Sequence, residues 1–417
     1  MENENTAVQQ EKDNIFKKYF VPEFKEILRG PADVIKGFFR APRSVLSLTR
    51  FDFAYMSVVL VLVAFGLVVH YSASGSNRNQ GEQAIYALIG IVVMLIVSSF
   101  KPSVYKRLSN IAMAGALLLM IAVIFAPEHN GTHRWIFHMQ PSELGKITMI
   151  MFFAALIDKY KTRNHDKYTF WAFLSLTVVF ALLIFLEVHL SGTILFLCIG
   201  YAMMWYGDMP KKYFIIVTAI VIAGAGLLVL KPTAFGFILK DYQIERIVIW
   251  KKILFNREIS SKEKLGNARQ VLQSLYGIGS GGFFGKGYGN SGQKISNLSE
   301  KANDFIYAVL GEELGFFGGI LMIVLFGALI LLGFRIAANS KTYYGTLLAM
   351  GISTQMALQV IINISVATSL LPNTGISLPF FSDGGSSLIM TLASMGLMLG
   401  ISKDTEKNEK VTENVQQ

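Results

Sequence analysis

Three acidic residues stand at the start of one long apolar run: Asp304, in Asp304-Phe305-Ile306-Tyr307, and then Glu312 and Glu313. Ionisable groups at membrane depth are costly to keep and mark functional sites by default. On a helix, Asp304 would share a face with Tyr307, Ala308 and Gly311, with Glu312 about 12 Å further along and about 80° around. The spacing fits two roles for Asp304 equally, a helix cap at the interface or a catalytic carboxylate. Gly311, Gly315 and Gly319 follow at spacing four, a pattern that lets helices pack closely in lipid and turns Glu312 and Glu313 toward protein.

Three further segments carry polar chemistry. Just upstream, 277–289 is rich in glycine around Lys286. Its formal G-x-G-x-x-G lacks a surrounding βαβ unit and is no dinucleotide site, although such backbone can approach an anion closely. The stretch from Gly131 to Lys146 holds Arg134 beside Trp135, a pairing suited to a headgroup or anionic ligand, and then Ser142, Glu143 and Lys146. Ser142 is placed to cap a helix, and Glu143 can pair with Lys146. His129, His133 and His138 show no metal-ligand spacing. The segment 371–387 has no basic residue, two prolines and a run of hydroxyls ending in Ser386, as expected of a re-entrant, cavity-lining loop.

The elements that must position these groups follow from composition. Of 417 residues 53% are hydrophobic and only 16% charged, where a soluble domain carries about 25% charged. With a mean hydropathy of +0.47 this excludes a soluble enzyme and intrinsic disorder, and the lone Cys198 excludes a disulfide scaffold. The fold class is an all-α polytopic membrane protein. Apolar runs at 54–72, 84–100, 109–127, 144–157, 170–187, 191–206, 213–230, 305–333, 344–367 and 385–401 predict ten transmembrane helices. The chain opens on a polar stretch with no cleavable leader in view, so the first span serves as its own insertion signal.

Lys and Arg fix the orientation. Alternate segments hold 23 against 3, which places both termini in the cytoplasm under the positive-inside rule. Residues 1–50 read as a cytoplasmic basic interfacial segment, 51–402 as the membrane domain, and 403–417 as a cytoplasmic disordered tail. The segment 231–303, between the seventh and eighth spans, is a large extracellular loop holding Arg246, Arg269 and Lys286. The net charge of +10 serves topology and lipid contact, and no nucleic-acid partner is expected.

Six motifs in this order resemble the SEDS family, the polytopic proteins of cell shape, division and sporulation. They are GTHRWI and QPSELGK within 131–146, YQIER at 242–246, and QSLYGIGSGGFFGKGYGNSGQK at 273–294. NDFIYAVLGEELGFFGG at 303–319 and LLPNTGISLPFFSDGGSS at 370–387 complete the set. The match departs from the family pattern at 187–190, at Leu298-Ser299-Glu300, at Ala302 and at Asp383. GNSGQK and NDFIYAVLGEELG lean toward the division and sporulation branch.

The resemblance implies a peptidoglycan glycosyltransferase that polymerises lipid II at the outer face of the bacterial cytoplasmic membrane. Asp304 is the implied catalytic acid, and a class B penicillin-binding transpeptidase the implied partner, beside other division or elongation proteins. An inverting transfer needs one general base, while the departing diphosphate needs positive charge. Arg246 and Lys286 rank first for that charge, then Arg269 and Arg134, with a Mg2+- or Mn2+-like cation as the other source. Two rival functions fit the same motifs: a lipid II flippase, which calls for polar groups at the midplane, and a non-catalytic scaffold.

Overall fold

The computed structural model describes residues 52–74, 79–126, 135–136, 139–187, 190–236, 239–255, 257–260, 268–292 and 302–403. The basic N-terminal segment, the tail beyond 403, Arg134, the three clustered histidines and Leu298-Ser299-Glu300 lie outside them. Twelve α-helices are found among the described residues: α1 (Phe53–Ser74), α2 (Asn79–Ser98), α3 (Pro102–Ile124), α4 (Pro141–Lys159), α5 (Lys167–Leu186), α6 (Leu190–Tyr206), α7 (Lys211–Leu230), α8 (Asp241–Leu254), α9 (Arg269–Ser280), α10 (Ile306–Ala338), α11 (Tyr343–Ala367) and α12 (Gly385–Lys403).

Every apolar run expected to cross the membrane is a helix. Eight of them are long and apolar enough to do so. The other two, α4 and α6, are 19 and 17 residues long. The structure therefore bears out an all-helical membrane architecture with eight clear spans, and the count of ten rests on these two. Helix α3 starts at Pro102, about two turns before its apolar run, because proline suits the first helical turn and Lys106 and Arg107 can point to solvent.

The core lies where α4, α11 and α12 meet. Helices α11 and α12 are about two-thirds buried in protein, whereas only Phe214 of α7 is buried. Close approach is set by small residues. A Cβ on Gly396 of α12 would meet the carbonyl oxygen of Met94 on α2 at 2.5 Å.

Helix ends sort onto two faces. Asp52 N donates to Ser402 Oγ at 3.4 Å, Lys106 pairs with Asp158 at 2.5 Å, His165 lies 3.9 Å from Asp208, and Lys161 sits over the Tyr343 ring. The short basic loops are thus on one face. Asp304, α8, α9 and the 368–384 loop are on the other, where Ser72 of α1 bonds Glu313 of α10 and Gln83 of α2 bonds Ser382.

Two expectations need correction. Helix α4 starts at Pro141 after Gln140 with no side-chain cap, and Ser142 Oγ is buried with no hydrogen bond among the described residues. Proline at the first position already removes one orphan N–H, so a cap gains less there. Helix α10 starts at Ile306, so Asp304 lies in the preceding turn and neither caps the helix nor shares a helical face with Gly311.

The glycine stripe also works differently from simple helix packing. Gly315 has φ +66, which breaks the α10 ladder, and the glycine-rich loop is spliced into the break. Lys286 N and Gly287 N donate to the carbonyls of Glu312 and Glu313, at 2.9 and 3.0 Å. Phe316 N and Phe317 N donate to those of Gly282 and Phe283, at 2.9 and 3.1 Å. Four backbone groups that a broken helix would strand are satisfied this way. A Cβ on Gly315 would stand 2.3 Å from Gly285 N, so no larger residue fits. Glu312 and Glu313 are buried in protein, as the stripe predicted.

Candidate active site

Asp304 is half-buried in the turn leading into α10. Its backbone is held from α11, where the buried Asn363 donates to the Asp304 carbonyl at 3.1 Å and to that of Ile376 at 2.7 Å. Its carboxylate rests against the 368–384 loop, since a Cβ on Gly375 would lie 3.2 Å from Asp304 Oδ2. Gly375 has φ +75, so glycine is required there on both counts.

The 368–384 loop is the hub that gathers the other groups. Arg246 of α8 reaches the Asn373 carbonyl at 3.5 Å and lies over the Tyr242 ring. Trp250 Nε1 donates to the Ser369 carbonyl at 3.1 Å, Asn373 Nδ2 to Gln270 Oε1 at 3.2 Å, and Ser274 Oγ to the Ala367 carbonyl at 2.7 Å. Ser191 Oγ donates to the Thr374 carbonyl. On the far side Ser382 Oγ donates to the Asn303 carbonyl and Asp383 N to that of Ala302, both at 2.7 Å. His70 of α1 lies 3.8 Å from Asp383.

The loop dips into the bundle, as its composition predicted. Phe381 packs edge-on against Phe65 of α1 at 5.4 Å, and both Phe380 and Phe381 lie on Phe326 of α10. The Phe380 carbonyl touches Gly66, eight residues from the end of α1, which puts the loop about 12 Å below that helix end.

Other expected site residues fall into three places. Arg269 is the first residue of α9 and half-buried beside Gln270. Glu143 and Lys146 form a buried ion pair at 2.8 Å in the first turn of α4, beside Ser386, whose Oγ accepts from Gln140 N at 3.4 Å. Trp135 is 42% exposed before the short bridge of Ile136 and Met139.

Lys286 differs from expectation: its ammonium is bound to the buried Glu312 at 2.7 Å and to Ser280 Oγ at 2.8 Å. Glu312 also accepts from Ser291 Oγ at 2.6 Å and Gly292 N at 3.1 Å. The charge of Lys286 is thus committed to neutralising a buried carboxylate, and the pair locks the loop onto α10. Tyr288, in the same loop, donates to the Val68 carbonyl of α1 at 3.0 Å. Desolvation, with Glu313 and Tyr71 nearby, pushes its phenol up, so it stays a donor.

Trp250, Ser274 and Gln83 were not singled out from the sequence. Asn363 was visible as a polar residue in an apolar span, and Gln355, Gln359 and Asn363 form a buried stripe at spacing four, a signal that marks an inward face. Among the described residues no group of three or more His, Cys, Asp or Glu is gathered that could hold a metal ion. A Mg2+ or Mn2+ ion would need substrate phosphate oxygens beside Asp304, the usual way such ions are held.

A bundle of membrane-spanning helices, with a carboxylate seated on a dipping polar loop at one face, defines a polytopic membrane protein with a site at its surface. The chain belongs to the FtsW/RodA/SpoVE family, described as "Cell cycle protein", whose signature matches residues 53–407. It is 34% identical over 373 residues to "Stage V sporulation protein E" of Bacillus subtilis, covering 84% of this chain and 97% of that one. It is 33% identical over 378 residues to "Probable peptidoglycan glycosyltransferase FtsW" of Trichlorobacter lovleyi, covering 86% and 95%.

Among solved structures, the rod shape determining protein RodA of Thermus thermophilus superposes with TM-score 0.62 at 23% identity, covering 86% of this chain and 99% of that one. A chain from a structure described as "Structural coordination of polymerization and crosslinking by a peptidoglycan synthase complex" gives 0.70 at 24% identity, covering 85% and 98%. The fold is shared with both.

Proposed function

We propose that this chain is a peptidoglycan glycosyltransferase that joins lipid II units into glycan strands at the outer face of the bacterial cytoplasmic membrane. The observation that carries the reading is the seating of Asp304: a carboxylate held against the Gly375 backbone, on the face opposite the short basic loops. The positive-inside rule makes the face of the basic loops cytoplasmic, with both termini there, so the Asp304 face is the outer one. Ten crossings, counting α4 and α6, satisfy this orientation.

Asp304 takes the proton from the acceptor sugar hydroxyl as its oxygen attacks the anomeric carbon of the donor. The bond from that carbon to the pyrophosphate oxygen breaks, configuration inverts, and the lipid diphosphate leaves as an anion. One carboxylate suffices because the leaving group needs no proton. Arg246, on α8, supplies positive charge beside the loop against which Asp304 rests, with Arg269 at the start of α9. Trp135 and Arg134 suit the lipid-headgroup side of the substrate. Glu143, Lys146 and Ser386 hold the start of α4 beside the start of α12. A class B penicillin-binding transpeptidase would crosslink the product, and the neighbouring peptidoglycan synthase complex supports that pairing.

The test is lipid II polymerisation by purified protein with and without a cognate transpeptidase. Asp304→Asn should insert and bind its partner normally while turnover falls by about 10²–10⁴-fold. Polymerisation near the wild-type rate in that variant removes the base assignment. Wild-type protein that moves lipid II across vesicles without polymerising it removes the enzyme.

A further inference from the structure

We infer that Trp250 is a positioning residue for Asp304, acting through a strained turn at Ser369. The inference deepens the general-base reading above and rests on it. Helix α11 ends at Ala367, and two residues later Ser369 has φ +59. A β-carbon disfavours that conformation, and serine is neither glycine nor asparagine. Such residues persist only where their surroundings hold them, and they gather at functional sites.

The side chain of Ser369 does not hold the turn. Its Oγ is buried and makes no hydrogen bond among the described residues. Its carbonyl is held instead, by the indole N–H of Trp250 at 3.1 Å. Immediately after it, Leu370 N and Leu371 N both fold back on the Ser365 carbonyl, at 2.7 and 3.0 Å. The turn therefore aims the chain out of α11 in one direction.

That direction decides where Asp304 sits. From Ser369 the chain passes Asn373, held by Arg246 and Gln270, and Thr374, held by Ser191, to reach Gly375 beneath the carboxylate. Arg246 and Trp250 lie four residues apart on one face of α8. One helix thus fixes both ends of the segment that leads to the base. If the turn relaxes, Gly375 shifts and the carboxylate loses its seat.

The experiment compares four variants of the full-length protein in a lipid II polymerisation assay: Trp250→Phe, Ser369→Gly, the two combined, and Asp304→Asn. Phenylalanine keeps the ring and removes the N–H. Trp250→Phe should lower kcat about ten- to hundredfold, since a small misplacement of a reacting group costs that much, with KM for lipid II and thermal stability little changed. The double variant should recover most of kcat, because glycine adopts the turn unaided.

Wild-type turnover in Trp250→Phe overturns the inference. So does a double variant that is as stable as wild type but whose kcat stays at the level of Trp250→Phe. The two readings separate cleanly: an inactive Asp304→Asn with a fully active Trp250→Phe sinks only this inference, whereas an active Asp304→Asn sinks the base on which it stands.

Discussion

A Cβ atom on Gly375 would stand 3.2 Å from Asp304 Oδ2, so the carboxylate lies directly on main chain with no side chain between. A carboxylate seated this way has the backbone path of the loop as one wall of its position. Residues that steer the 368–384 loop should therefore change turnover more than they change affinity.

Gly375 itself is the first case. Gly375→Ala adds a methyl against the carboxylate and forces alanine to φ +75, a cost of about 1–2 kcal/mol. We expect kcat to fall about tenfold or more, read by lipid II polymerisation. Gly375→Asn separates the two effects, since asparagine tolerates that φ yet carries the same Cβ. Normal turnover in the asparagine variant would assign the loss to strain alone.

Arg246→Ala should accumulate normally and lose about 10²–10³-fold in turnover, the cost of removing one hydrogen-bond donor to developing negative charge. Arg246→Lys keeps the charge but not the planar stacking on Tyr242, and should recover only part of the rate. Unchanged turnover in the alanine variant would move charge stabilisation to Arg269 or to a cation.

The Lys286–Glu312 pair predicts a stability effect rather than a chemical one. Lys286→Met leaves Glu312 buried with its bonds from Ser291 and Gly292 but no countercharge, a loss of about 1–3 kcal/mol. Lys286→Met with Glu312→Gln should restore most of that loss, and thermal unfolding in detergent measures the cycle. If the single variant is as stable as wild type but inactive, the ammonium acts on substrate instead.

Much of the fold was legible because apolar runs and basic loops are local signals. All ten runs are helices, and the basic loops at 101–108 and 158–168 meet on one face through Lys106 and Asp158. The dip of the 368–384 loop was legible too, from its lack of basic residues, its hydroxyls and its prolines. Spacing failed where the deciding partner is distant in sequence. Asn363 holds Asp304 across 59 positions, and Trp250 holds Ser369 across 119. The periodicity that placed Asp304 on a helical face had no means of showing that the helix starts two residues later.

The break at Gly315 has a consequence for how this chain can vary. Residues 282–287 fill the gap in a membrane helix, with Gly282, Phe283, Lys286 and Gly287 each bonded to the backbone of α10. Adding or deleting a single residue in that stretch would shift every pair and strand amides within hydrocarbon. The glycine-rich segment, although a connection in the covalent sense, should therefore tolerate length change as poorly as a bilayer-crossing span.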